Sequence, residues 1–239
     1  MQLYDMHSHI LPKFDDGAKS VEESLSLIKC LTKQNVTNIC LTPHFYTNEM
    51  SAKDFAEKRR EAYENFLPHI PEGINVVLGA EDYVTRFLFS NDDLSDLTYG
   101  NSNYILTEFS YTSSFSEKTM NDFYSLTRNY GLIPILPHVE RYDTLMKDSE
   151  IIRELKDMGV LIQTNISNYT QKASFFRKRK LLKYIGEGLI DIIGSDAHSM
   201  THNSPEYFTQ AIRTISEKCG RSVVKRLMQN SAEIFNSAL

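Results

Sequence analysis

In Leu3-Tyr-Asp-Met-His-Ser-His9 the apolar, strand-sized run Leu3 to Met6 leads into two histidines, and the same design recurs late in the chain, where Leu189 to Gly194 leads into Ser195-Asp-Ala-His198. Between them, five more runs have the apolar character of buried parallel strands: Asn38 to Thr42, Ile74 to Gly79, Tyr104 to Thr107, Leu132 to Leu136 and Val160 to Thr164. Amphipathic segments separate the seven. Ser20 with Glu23 forms a capping box ahead of a Leu25, Leu27, Ile28, Leu31 stripe, and Ser204-Pro205 reads as another helix start. Gly131, Gly159 and Gly220 follow helical patterns and fit left-handed caps. This alternation admits an open doubly wound sheet or a closed (β/α) barrel. Only the barrel requires polar chemistry at the C-terminal end of every strand.

The strand ends carry that chemistry. The runs lead in turn into His7 and His9, His44, Glu81, Glu108, His138, and Asp196 with His198; only the sixth, ending near Asn165, lacks a hard metal ligand. Five of the seven histidines fall in these windows, where chance would place about one. Alternate residues on an extended strand share a face, so His7 and His9 point together, as do Asp196 and His198. Asp15 or Asp16 could add an oxygen from the loop after the first strand. Imidazoles mixed with carboxylates suit Mn, Fe or Zn, and the lack of nearby cysteine argues against a structural thiolate site. His69 and His202 read as ordinary surface residues. Asp5 reads either as a partner orienting a histidine or as a plain strand-end polar group.

Composition excludes other classes. The chain has 239 residues, 41% hydrophobic and 24% charged, with net charge -5, values that fit one folded domain spanning 1–239 and give no basic surface for nucleic acid. No apolar stretch is long enough to span a bilayer, so no membrane insertion is expected. Cys30, Cys40 and Cys219 are scattered, which fits a reducing, cytoplasmic setting. A thiolate phosphatase needs Cys-x5-Arg, and the sixth residues after these cysteines are Val36, Tyr46 and Lys225. The run Arg177-Lys-Arg-Lys180 after Phe175-Phe176 reads as a solvated helix face, with an acidic or phosphorylated partner as the alternative. Tyr104, Phe109, Tyr111 and Phe115 read as core, some of them lining a substrate mouth.

Taken jointly, His7-Ser-His9, Thr42-Pro-His44, Glu81, Glu108, Pro137-His138 and Gly194-Ser-Asp-Ala-His198 resemble the polymerase and histidinol phosphatase superfamily, whose members are distorted (β/α)7 barrels. Met6-His-Ser-His-Ile-Leu-Pro12, Asp15-Asp-Gly-Ala18 and Pro137-His-Val-Glu-Arg-Tyr142 are similar to its bacterial metal-dependent protein-tyrosine phosphatases of capsule and exopolysaccharide systems. The resemblance implies His7, His9, Asp16, His44, Glu81, Glu108, His138, Asp196 and His198 as metal ligands and Arg141 as the catalytic, phosphate-binding arginine. It further implies up to three divalent ions, Mn first with Fe or Zn as alternatives. The implied substrate is the phosphotyrosine tail of a tyrosine autokinase. Relatives often carry a second arginine after Asp-x-His, where this chain reads Met200-Thr-His-Asn203, making Asn203 or His202 the stand-in for substrate binding. The alternatives are a histidinol-phosphate-type small-molecule phosphatase and a non-catalytic, metal-stabilised interaction module. Oligomeric state is not encoded in these patterns.

Overall fold

The structure, a computed structural model, describes residues 1–239. Its strands are β1 (Leu3–Asp5), β2 (Val36–Leu41), β3 (His44–Phe45), β4 (Asn75–Leu78), β5 (Glu81–Tyr83), β6 (Tyr104–Glu108), β7 (Ile133–Leu136), β8 (Leu161–Asn165) and β9 (Ile192–Gly194). Every pairing is parallel. Nine strands replace the expected seven because two are each broken by a bend. One breaks at Thr42-Pro43, where proline has no N–H to give a ladder, and the other at Gly79-Ala80. Hydrogen bonds carry each ribbon across its break: the Gly79 N–H donates to the Leu41 carbonyl at 2.8 Å and the Glu81 N–H to that of Pro43 at 3.0 Å.

The strands run in the orders β1-β2-β4 and β3-β5-β6-β7-β8-β9. Joined through the two bent ribbons, they follow sequence order around a ring. The ring closes between its first and last members: Ser8 bridges Ala197 in parallel, the Asp196 N–H donates to the His7 carbonyl at 2.8 Å, and the His9 N–H to that of Ala197 at 2.9 Å. The architecture is therefore the distorted seven-fold barrel expected from the strand ends.

Helices α1 (Val21–Thr32), α2 (Ala52–Phe66), α3 (Glu117–Tyr124), α4 (Asp143–Lys147), α5 (Ser149–Asp157), α6 (Phe175–Gly186), α7 (Phe208–Cys219) and α8 (Arg221–Ser237) surround it. Ser20 caps α1 by accepting from the Glu23 N–H at 3.2 Å, while the Glu23 carboxylate accepts from the Lys19 N–H at 2.8 Å, one residue earlier than a standard capping box returns. The buried stripe of α1 is Leu27, Ile28 and Leu31; truncating either leucine to alanine costs about 2–5 kcal/mol. Ser204-Pro205 opens a short 3-10 turn, Pro205–Tyr207, so that α7 starts three residues later than the sequence suggests. Gly131 and Gly159, at helix ends, have φ of +66° and +90°. A single cluster of 58 buried apolar residues fills the ring and the strand-helix layer.

Candidate metal centre

Parallel strands that share one direction deliver their C-terminal side chains to one rim, and all nine expected ligands meet there. They fall into four overlapping groups whose ligand atoms lie within 4.8 Å of one another: His9, Asp16, His44 and His198; His7, Glu81 and His138; His7, His9 and Asp196; and His44, Glu81 and Glu108. His69 lies apart on a surface turn. His202 joins no group, although its ring centroid is 5.2 Å from that of His198.

Spacing within the deepest part is that of a coordination shell. His7 Nε2 and His9 Nε2 are 3.2 Å apart, His7 Nε2 is 3.3 Å from Glu81 Oε2 and 3.7 Å from Asp196 Oδ1, and His9 Nε2 is 3.2 Å and 3.4 Å from the same oxygens. Four ligands bonded tetrahedrally at 2.0–2.1 Å would be about 3.4 Å apart along each edge. Toward solvent, Asp16 Oδ1 lies 3.6 Å from His44 Nε2 and 3.4 Å from His198 Nε2. On the far side, His138 Nε2 is 2.7 Å from Glu81 Oε1 and 3.5 Å from Glu108 Oε1. Within this cluster His44 Nδ1 and Asp196 Oδ1, which face other ligand atoms, are buried without a hydrogen-bond partner. Buried polar atoms left unpaired are costly in a metal-free protein. The donor set therefore fits divalent cations.

The two aspartates after the first strand separate cleanly. Asp15 is committed to orientation: its Oδ2 is 2.7 Å from His9 Nδ1 and accepts from the His44 N–H at 3.0 Å, while Oδ1 accepts from the Gly17 N–H at 2.9 Å. Holding Nδ1 leaves His9 Nε2 free to face the cluster. Asp16 is the aspartate whose oxygen faces His44 and His198. Asp5 orients no histidine; its carboxylate accepts from the Ser195 N–H at 2.7 Å and from the Ser195 hydroxyl, fixing the turn that aims Asp196. The Asp196 carbonyl pairs with His198 Nδ1 at 2.8 Å and turns Nε2 outward. Gly194 has to be glycine, because a Cβ there would stand 2.6 Å from His7 Cβ and 2.9 Å from Gln163 Nε2. His138 and Asp196 both have left-handed backbone, with φ of +34° and +54°, a strain held in place by the surrounding ring. The Gln163 side chain helps by accepting from the His138 N–H at 2.6 Å.

Electrostatics follow from burial. Burial pushes the pKa values of His44 and His138 down and that of His198 to about 4, favouring the neutral imidazoles that metals need. Burial acts the same way on His7 and His9, but the charges of Glu81 and Asp196 on one and Asp15 on the other outweigh it and raise both. Burial together with the Glu81 charge lifts Glu108 to about 7. Glu81 and Asp196 are held well below the usual carboxylate range because the facing histidines, and Arg141 for Asp196, overcome their burial.

Beside the cluster opens a cavity of about 340 Å³ lined by Tyr46, Tyr83, Tyr111, Arg141 and His202 together with ligand residues. Arg141 is its one guanidinium; Nη2 donates to Asp196 Oδ2 at 2.6 Å and Nη1 to the Tyr111 hydroxyl at 2.9 Å. Tyr111 in turn donates to Glu108. Of the four aromatics read from the sequence, Phe109 and Phe115 are buried, while Tyr111, 45% exposed, faces the mouth. Asn203 donates to Asp196 Oδ2 at 2.9 Å, as Asn165 does at 2.8 Å, so both amides brace the carboxylate from behind. Asn165, at the one strand end without a metal ligand, thus still serves the rim. Sequence reasoning gave no role to Tyr111 beyond a possible mouth, nor to Gln163 or Glu140. Buried Glu140 accepts from Thr164, the Asn165 N–H and Asn168, tying the β8 end to the Arg141 turn. A carboxylate beside the His138 strand end was the available signal for it.

Comparison with known proteins gives the chain's family and fold. Residues 3–236 match the sequence model described as capsular polysaccharide synthesis, CpsB/CapC. The tyrosine-protein phosphatase CpsB of Streptococcus pneumoniae is 31% identical over 237 residues, covering 94% of each chain. The putative tyrosine-protein phosphatase CapC of Staphylococcus aureus is 32% identical over 205 residues, 84% of this chain and 78% of the relative. Among solved structures, one reported for YwqE from Bacillus subtilis and CpsB from S. pneumoniae, called unique metal-dependent tyrosine phosphatases, superposes with a TM-score of 0.81 at 22% identity, covering 99% of this chain and 96% of that one. The histidinol phosphate phosphatase of Lactococcus lactis shares the fold more distantly, with a TM-score of 0.51 at 13% identity, covering 91% and 92% of the two chains. With nearly its whole length matched, this chain belongs to the CpsB/CapC capsular polysaccharide synthesis family.

Proposed function

We propose that the chain is a metal-dependent phosphatase that hydrolyses phosphotyrosine on protein substrates. The observation that carries this reading is the meeting of nine imidazole and carboxylate ligands beside a cavity walled by tyrosines and holding one arginine. His7, His9, Asp16, His44, Glu81, Glu108, His138, Asp196 and His198 would hold the metals, with three ions as the expected number and Mn as the first candidate. When bound, such ions supply hydroxide near neutral pH and neutralise charge on phosphoryl oxygens.

The chain's own groups do the rest. Arg141 presents a planar fork at the cavity, suited to binding two phosphoryl oxygens at once. Asp196 and Tyr111 hold that fork in place before substrate arrives, which lowers the cost of ordering it. Tyr46, Tyr83 and Tyr111 offer aromatic walls to a phenyl ring. A phenol, with pKa of about 10, leaves more easily than an alkyl alcohol, so the site needs only modest help from a general acid.

The partner that fits this reading is the tyrosine-bearing tail of an autokinase in capsule or exopolysaccharide assembly, met in the cytoplasm. Phosphate release from a phosphotyrosine peptide and from histidinol phosphate, each with Mn and with chelator, tests it. Chelator-sensitive turnover of the peptide far above histidinol phosphate is expected. The opposite preference assigns the chain to small-molecule hydrolysis, and tight peptide binding without release of phosphate makes it a binding module.

A further inference from the structure

The first turn of α6 is unlike the rest of the surface. Phe175 and Phe176 are 66% and 80% exposed and meet edge to face with ring centroids 5.6 Å apart. Between Asp157 and Glu187 the chain has Lys172, Arg177, Lys178, Arg179, Lys180 and Lys183 but no acidic residue, although the whole protein carries net charge -5. Lys172 and Lys178 are spent on the Tyr207 hydroxyl and the Thr170 carbonyl, Lys180 lies over Tyr184, and Lys183 stands 3.6 Å from Glu187. Arg177 and Arg179 are exposed and make no ion pair or side-chain hydrogen bond. The acids that face this group from neighbouring elements are Glu206, beside Lys172, and Asp148, beside the Tyr184 ring over which Lys180 lies.

Topology puts this turn on the catalytic rim. A helix that follows a barrel strand begins at the strand's C-terminal side. Asn165, which ends β8, donates to Asp196 in the metal cluster, and α6 starts ten residues later. Lys172 reaches Tyr207 from the segment that follows His198. None of the five principal cavities is lined by any residue from 171 to 186, and the high exposure of both rings makes them protrude from the surface. A bound peptide favours a groove, whereas a bilayer surface receives a protruding aromatic tip ringed by cations.

We propose that Phe175, Phe176, Arg177 and Arg179 form an anchor that docks the catalytic rim on a bilayer containing anionic lipid. The two rings enter the headgroup layer, and the two guanidiniums lie against lipid phosphates. The anchor is peripheral, since no helix is long and apolar enough to cross a membrane. For the phosphatase reading, on which this consequence alone rests, the active rim would face phosphotyrosines tethered close to the membrane.

Vesicle co-sedimentation tests the anchor without reference to turnover. The full-length protein is expected to bind phosphatidylcholine–phosphatidylglycerol vesicles, to ignore pure phosphatidylcholine, and to be released by salt. Losing two cations at about fivefold each predicts about 25-fold weaker partition for R177S/R179S, and F175S/F176S should lose at least tenfold. The chain has no tryptophan, so Phe176→Trp is a unique reporter whose emission should shift to the blue only with the mixed vesicles. Hydrolysis of p-nitrophenyl phosphate in solution should match wild type in all three variants, which shows that they fold. No binding to mixed vesicles, or binding by F175S/F176S equal to wild type, overturns the proposal. So does retention of a poly-Glu-Tyr peptide by the wild type, lost in R177S/R179S, without vesicle binding; that result would make the turn an acidic-peptide site.

Discussion

Replacing Arg141 with alanine separates binding of phosphate from binding of metal. In the substrate-free site the guanidinium gives one hydrogen bond to Asp196 at 2.6 Å and one to Tyr111 at 2.9 Å. Each of these Nη groups has a second N–H left to give to a phosphoryl oxygen. Hydrogen bonds to charged groups contribute about 1.5–3 kcal/mol each, so losing two of them from the transition state amounts to about 3–6 kcal/mol. Arg141 keeps 31% of its side chain exposed, which screens the charge and favours the lower half of that range. The expected loss in kcat/KM on a phosphotyrosine peptide is therefore about 10²- to 10³-fold. Asp196 stays braced by Asn165 and Asn203 when the arginine is gone, so elemental analysis should find metal content near wild type. Arg141→Lys restores charge without the fork and should recover only part of the rate. A fall of less than threefold in R141A, or a rate loss that tracks lost metal, refutes the role given to this residue.

Asp15→Asn keeps the size of the side chain but removes the charge that holds His9 Nδ1. Metal affinity measured by competition with a chelator should fall about 10- to 100-fold, while Asp16 remains in place; unchanged affinity would mean that the His9 ring is fixed by packing alone. Asp5 gives a pH test. Burial raises its pKa from the ordinary 3.8 to about 6, so between these values the folded state holds more protons than the unfolded chain and stability falls as pH rises. In chelator-treated protein, Asp5→Asn should gain stability relative to wild type progressively from pH 4 to 6, by up to roughly 3 kcal/mol, and gain no more above that window. A difference in denaturant midpoint that stays flat across the window would discredit the desolvation argument. Gly194→Ala forces a Cβ to within 2.6 Å of His7 Cβ and should cost about 1–3 kcal/mol with loss of metal; a wild-type Tm and full metal content would show that the barrel can yield there.

Much of the molecule is written in its sequence because strand ends are local features. An apolar run that ends in His-x-His or Asp-x-His states both its burial and the face its polar residues share, and repetition of that pattern along the chain implies a ring. The breaks at Thr42-Pro43 and Gly79-Ala80 were less visible. Each run stays apolar through its bend, and the hydrogen bonds that cross it come from a neighbouring strand.

What no window of the chain contains is the register between residues far apart in it. The choice of Asp16 over Asp15 to face the cluster depends on His9 and His44 reaching Asp15 first. The pairing of Asp5 with Ser195 spans 190 positions and exists only once β9 has closed against β1. Arg141 and the amides of Asn165 and Asn203 share one oxygen of Asp196 for the same reason. Residue chemistry alone determined that divalent cations suit this chain, and the resemblance of its motifs to a known family pointed to phosphate. Closure of the barrel decided which oxygen each cation is offered, because hydrogen bonds act over about 3 Å and only the folded ring brings distant partners within that reach.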